Sequence, residues 1–141
     1  MKPVVLTTGV FDVLHPAHVN LLARIKAEFP HHTLVVGVNG DRRARELKEF
    51  VLFSAAERKS LLEAIRCVDR VVIFEEDTPK ELIGRLKPDV FVKGTDWAGK
   101  EIAEADVCAE NGTDIVFVNS QDDGPRYSSS ELKRSLNATT K

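Results

Sequence analysis

Apolar residues fall in five short blocks, and the stretches between them follow helical spacing. The blocks are "PVVLTTG" (residues 3–9), "TLVVGV" (33–38), "DRVVIF" (69–74), "DVFVKG" (89–94) and "DIVFVN" (114–119). They are solidly apolar and rich in β-branched side chains, without the alternation of a half-exposed strand. Each is therefore expected to be a strand buried on both faces. Helices are expected between them. "HPAHVNLLARIKAEF" (15–29) carries Pro16 in its first turn, where a missing N–H costs little, and Pro30 stops it. Ser54 followed by Glu57 is a capping box opening "AAERKSLLEAIRC" (55–67), and Thr78-Pro79 with Glu81 repeats that grammar before "KELIGRL" (80–86). "KEIAEADVCAENG" (100–112) is helical with Gly112 as its stop, and "SSSELKRSL" (128–136) is the closing helix. The arginine-rich "NGDRRARELKEF" (39–50) has no pattern that decides its order.

Strand–helix alternation predicts an α/β protein, a Rossmann-like three-layer fold with a five-stranded parallel sheet. With 141 residues and no repeat or interdomain linker, residues 1–141 read as one domain. Ligands of such sheets sit outside the carboxyl ends of the strands. That rule selects "TTGVFDVLHPAH", "NGDRR", "FEEDTP", "VKGTDW" and "NSQDDGPRYSSS" as the places to look for chemistry.

Composition narrows the classes. The chain is 43% hydrophobic and 30% charged, an ordinary globular balance, and its formal charge of −2 gives no footprint for nucleic acid. No apolar run reaches the roughly 18 residues of a membrane span, and the start turns polar too soon for a signal peptide. Cys67 and Cys108 lack metal-ligand spacing and lie by apolar segments, so buried thiols in a reducing cytoplasm are expected.

At the first exit, Gly9 is expected to make the sharp turn. His15 and His18, three residues apart, share one side of a solvent-facing helix start where the dipole favours anions. They are expected to donate to phosphate oxygens, with no role as metal ligands. At the fourth exit, Lys93, Gly94, Asp96 and Trp97 bring a cation, a flexible glycine, a carboxylate and an indole within five residues. At the fifth, Ser128, Ser129 and Ser130 follow Arg126 at a helix start, two hydroxyls more than a cap needs. Two such helix starts facing one crevice suit a triphosphate. Arg42, Arg43 and Arg45 read as a solvated helix face, and Glu75, Glu76 and Asp77 as a hydrated acidic loop. The Gly-x-x-x-x-Gly-Lys-Ser/Thr and Gly-x-Gly-x-x-Gly fingerprints are absent.

"TGVFDVLHPAH" resembles the Gly-x-Phe-Asp-x-x-His-x-Gly-His signature of the cytidylyltransferase-like nucleotidyltransferases, and "YSSSEL" resembles their Ser-Thr-Thr/Ser helix start. "EEDTPKELIGRLKPDVFVKGTDW" is similar to the adenylyltransferase domain of bacterial ADP-heptose synthases, while "FSAAERKSLLEAIRCVDRV" and "DWAGK" are similar to glycerol-3-phosphate cytidylyltransferases. The resemblance implies transfer of a nucleoside monophosphate from ATP or CTP to a small phosphorylated acceptor, with release of pyrophosphate. It implies that His15 and His18 stabilise the α-phosphate, that backbone groups of Gly9, Val10 and Phe11 meet the triphosphate, and that Lys48 neutralises phosphate charge from a mobile loop. Ser128, Ser129, Ser130 and Arg126 would hold the β- and γ-phosphates, and Gly94, Asp96 and Trp97 would line the base or acceptor side. It further implies Mg2+ with the triphosphate and a homodimer. An enzyme making a CDP-alcohol is the near alternative, and a non-catalytic nucleotide-binding module the far one. Ala17 stands where the signature has glycine, and its methyl is expected to hold a ligand slightly off the helix start.

Overall fold

A computed structural model describes residues 2–119, 133, 135 and 136. Five strands, β1 (Val4–Gly9), β2 (Thr33–Asn39), β3 (Arg70–Phe74), β4 (Val90–Gly94) and β5 (Asp114–Val118), pair in the order β3-β2-β1-β4-β5, every pair parallel. Successive residues of β1 point to opposite faces. Val5 joins a core with Leu22, Ile25 and Leu62 from α1 (Pro16–Glu28) and α3 (Ala55–Glu63). Leu6 joins a second core with Leu82, Ile83 and Cys108 from α4 (Lys80–Leu86) and α5 (Ala105–Asn111). Two apolar cores, one per face, explain why the central strands show no polar alternation. Only the edge strands β3 and β5 carry exposed residues.

Within the described residues the five expected strands and the helices between them are present, with local differences, while the closing helix expected over 128–136 falls mostly outside the described residues. Residues Asp41–Leu47, in the stretch whose order the pattern left open, form helix α2. Two of its arginines are engaged: Arg42 donates to Glu46, Asp77 and the Glu75 carbonyl, and Arg43 to the Asp77 carbonyl. The acidic loop is therefore a docking surface for α2 as well as a hydrated one. The Ser54–Glu57 capping box forms, with bonds of 2.9 and 3.2 Å. The second does not, because α4 begins at Lys80 with Pro79 as its cap, leaving Glu81 one residue early. Lastly, α5 starts only at Ala105: a 3-10 turn at Thr95–Trp97 and a left-handed Gly99 (φ +80°) redirect the chain first. Gly112 (φ +73°) stops α5 as expected. Both cysteines are free; Cys108 is buried and Cys67 half-buried. Among the described residues no helix is long and apolar enough to cross a membrane.

Candidate functional site

The strand order reverses direction between β1 and β4, so the crevice at their carboxyl ends is the place for a ligand. A cavity of about 490 Å³ opens there, lined by Thr8, Gly9 and Val10 of the first exit, by Arg43 and Lys48 from and just after α2, and by Lys93 and Trp97 of the fourth exit. A smaller one of about 220 Å³ shares Thr8, Gly9, Val10 and Lys48, and adds Phe11, Asp12 and His18.

The turn after β1 differs from the expectation. Gly9 stays in the strand, and the left-handed residue is Phe11, at φ +52°. A non-glycine residue there is uncommon and must be held by its surroundings. Phe11 is 7% exposed, packs in the core under α1, and meets the His18 ring edge-on at 5.3 Å. A Cβ on Gly9 would stand 2.9 Å from the Phe11 ring, so glycine is required for close approach and not for backbone freedom.

Two bonds and a buried cation then fix this turn to the rest of the site. Asp12 accepts from the Leu52 and Phe53 N–H groups at 2.8 and 2.9 Å, and pairs with Lys133 of the closing helix. Burial alone would raise the Asp12 pKa; the bonds from Lys133, Leu52 and Phe53 outweigh it and hold the carboxyl below its usual value. Lys133 also donates to the Phe50 carbonyl at 2.9 Å. Arg58, fully buried on α3, donates to the Val10, Asn39 and Phe53 carbonyls. The segment carrying Lys48 is thus anchored by α2 on one side and by Asp12 on the other. Between these anchors, residues 48–51 lack regular structure.

The histidine rings stack, 3.8 Å apart and 21° from parallel, as three-residue helical spacing allows. The solvent-facing position expected for both is corrected for His15, which is only 8% exposed. The His15 backbone N–H donates to His18 Nδ1 at 3.3 Å, so a neutral His18 carries its hydrogen on Nε2. Burial pushes the His18 pKa down to about 4, with His15 and Lys48 adding to the effect and the Val13 carbonyl opposing it. Burial lowers His15 as well. Both rings are therefore neutral at pH 7, and His18 offers a hydrogen bond and no net charge. Among the described residues, Lys48, Arg43 and Lys93 bring basic side chains to the crevice.

Of the residues expected from sequence, Gly9, Val10, Phe11, His18, Lys48 and Trp97 converge on the two cavities. His15 does not line them; it faces a separate depression with Leu14, Pro16 and Val19. Gly94 and Asp96 adjoin the crevice without lining it, and Asp96 folds over Gly94, where a Cβ would lie 2.6 Å from Oδ1. Arg126, Ser128, Ser129 and Ser130 lie outside the described residues. Ala17 is 4% exposed and lines none of these three cavities, which speaks against a methyl standing between the helix start and a ligand. Glu104 and Asn39 line the large cavity without having been singled out in the sequence, and Arg43, which reads there as part of a solvated helix face, lines it too. Among the described residues no group of three or more His, Cys, Asp or Glu could hold a metal ion.

Comparison with known proteins agrees with this geometry. The profile of the cytidylyltransferase-like family matches residues 6–135. A bifunctional protein HldE of Azorhizobium caulinodans is 45% identical over 118 residues, covering 82% of this chain and 24% of that protein. One from Campylobacter concisus is 46% identical over 111 residues, covering 77% and 23%. The chain thus spans about a quarter of the length of these curated relatives. Among solved structures, a lipopolysaccharide core biosynthesis protein from Thermoplasma volcanium GSS1 superposes with a TM-score of 0.72 at 28% identity, over 86% of this chain and 100% of that one. A pantoate-beta-alanine ligase from Francisella tularensis, at 12% identity and a TM-score of 0.57 over 94% and 65%, shares the fold. With the family profile spanning nearly the whole chain, this protein belongs to the cytidylyltransferase-like family of nucleotidyltransferases.

Proposed function

We propose that this nucleotidyltransferase transfers a nucleoside monophosphate from ATP or CTP to a small phosphorylated acceptor, a sugar 1-phosphate of the heptose-phosphate type. An oxygen of the acceptor phosphate attacks the α-phosphorus, the bond from that phosphorus to the α–β bridging oxygen breaks, and pyrophosphate leaves. Such a reaction asks for positioning and charge stabilisation more than for a covalent nucleophile. The observation that carries the reading is the convergence of His18, Lys48 and the Gly9–Phe11 backbone on one crevice between β1 and β4.

His18 Nε2–H would donate to an α-phosphate oxygen as negative charge grows there, with His15 stacked behind it as the second histidine of the pair. Lys48 would neutralise the phosphates from the rim, and Trp97 would wall the base or acceptor. Arg126, Ser128, Ser129 and Ser130 would hold the β- and γ-phosphates. Magnesium would arrive as the counter-ion of the triphosphate, ligated by phosphate oxygens and not by a dedicated protein cage. The similarity to HldE proteins supports the sugar-phosphate acceptor, and the free thiols suit a reducing compartment such as the cytoplasm.

The test is a thermal-shift screen of ATP, CTP, GTP and UTP with magnesium, since a ligand bound by the folded chain stabilises it. Pyrophosphate release is then measured with sugar 1-phosphates and with glycerol 3-phosphate. Turnover with ATP or CTP and a sugar 1-phosphate is expected. Preference for CTP with glycerol 3-phosphate replaces the proposed acceptor by an alcohol phosphate, and no release with any pair overturns the reading.

A further inference from the structure

Glu104 is a buried carboxylate, 4% exposed, at the wall of the large crevice cavity. Its Oε2 has no hydrogen-bond partner among the described residues. Lys93 faces it at 3.7 Å, close enough to pair but too far for a hydrogen bond. The ammonium also lies 4.4 Å from the centre of the Trp97 ring and 5.7 Å from that of Phe91. A buried carboxylate is costly unless its lone pairs are filled, so a gap of this kind asks for a third group.

The geometry specifies that group. An oxygen about 2.8 Å from both Nζ and Oε2 closes a triangle on the 3.7 Å base, both legs being ordinary hydrogen bonds. The atom must accept from the ammonium and donate to the carboxylate at once. A phosphate or carboxylate oxygen cannot donate and would be repelled by Glu104, and a carbonyl cannot donate either. A hydroxyl does both, and it can displace a water molecule while reproducing that water's bonds.

We propose that Lys93 and Glu104 form a hydroxyl-binding subsite that makes the enzyme selective for a polyhydroxylated substrate. This rests on the nucleotidyltransferase reading above, because it takes the crevice as the substrate site. The hydroxyl belongs either to the ribose of the nucleotide or to the acceptor, and both present the same chemistry.

The experiment compares the wild type with Glu104→Ala and with the near-isosteric Glu104→Gln, each checked for an unchanged circular dichroism spectrum. One arm uses ATP and CTP against their 2′-deoxy and 3′-deoxy forms. The other uses mannose 1-phosphate against its monodeoxy analogues, and glycerol 3-phosphate against 3-hydroxypropyl phosphate. In one arm, deleting one hydroxyl is expected to lower wild-type kcat/KM by about ten- to a hundredfold, the range of a hydrogen bond to a charged group. In Glu104→Ala the same deletion should cost less than about threefold, with Glu104→Gln between. The arm in which the preference collapses identifies whose hydroxyl is bound. If wild type releases no pyrophosphate from any pair, the functional reading falls, and calorimetric binding of the same probes still decides the subsite. Hydroxyl preferences that are the same in wild type and Glu104→Ala, or absent from both, overturn it.

Discussion

Because His18 is held neutral by burial, acid should destabilise the folded chain in a window that can be calculated. Its pKa is about 4 in the folded chain against 6.5 when unfolded. The unfolded chain therefore binds the proton first as pH falls. Stability from this group is full above pH 6.5 and is lost progressively down to about pH 4. At about 1.36 kcal/mol per pH unit, the loss is about 2 kcal/mol by pH 5 and about 3 kcal/mol by pH 4. His15 shifts the same way and adds to the wild-type slope. Replacing His18 by glutamine keeps an acceptor for the His15 N–H and removes the titration. Urea denaturation of wild type and His18→Gln at pH 7.5, 6 and 5 measures the difference in stability. Any advantage of the wild type at pH 7.5 should shrink by about 2 kcal/mol at pH 5. Turnover follows the same logic: the working form is the neutral ring, so kcat should stay level from pH 6 to 8. A difference in stability that ignores pH refutes the burial argument. A rate that falls as pH rises through 6.5 would make the imidazolium the working species.

Lys48→Ala should lower turnover with little change in melting temperature, since Lys48 caps α2 by its backbone N–H while its side chain lines the crevice; a large stability loss with normal turnover would make it structural. Arg58→Met should cost about 3–5 kcal/mol in urea denaturation, because three carbonyls lose their donor in a site without solvent. A loss below about 1 kcal/mol would mean that water replaces the guanidinium. Ala17→Gly should lose about 1 kcal/mol of stability and leave calorimetric nucleotide affinity unchanged, since Ala17 is buried and lines none of the three cavities. Tighter nucleotide binding would restore the steric explanation for this position. His18→Ala should lower kcat by a factor on the order of a hundred to a thousand, with nucleotide affinity changing far less.

The strands were legible because burial on both faces leaves one signature, a run without polar alternation. The exits were legible for a related reason: a parallel sheet puts every strand's carboxyl end on one side, so chemistry found there is brought together by topology alone. What stayed hidden depends on single side chains acting at long range. Arg58 lies three residues after Ala55 and four before Leu62, on the stripe that α3 buries. That spacing was available, yet an arginine among charged neighbours reads as solvated until its carbonyl partners are known. Lys133 reaches Asp12 across most of the chain, and nothing local to either residue announces the pair. Glu104 was assigned to a continuous helix, because the turn at Gly99 that delays α5 leaves no trace in helical periodicity.

The first turn shows how one residue can be right for the wrong reason. Gly9 was singled out for its backbone freedom, but the residue that bends is Phe11. A left-handed phenylalanine persists only if other contacts outweigh its strain. Here its ring is buried under α1, the Asp12 carboxylate is fixed by two backbone N–H groups and a lysine, and Arg58 takes the Val10 carbonyl. Each clamp comes from a different part of the chain: α1, the segment after Lys48, the closing helix and α3. The turn after β1 is therefore built by tertiary structure and not by local sequence. A Gly9→Ala substitution would strike at that construction, since its methyl would fall 2.9 Å from the Phe11 ring. The ring would have to leave the position from which it meets the edge of His18. Damage at the β1 exit and damage at the histidine are in this sense the same event.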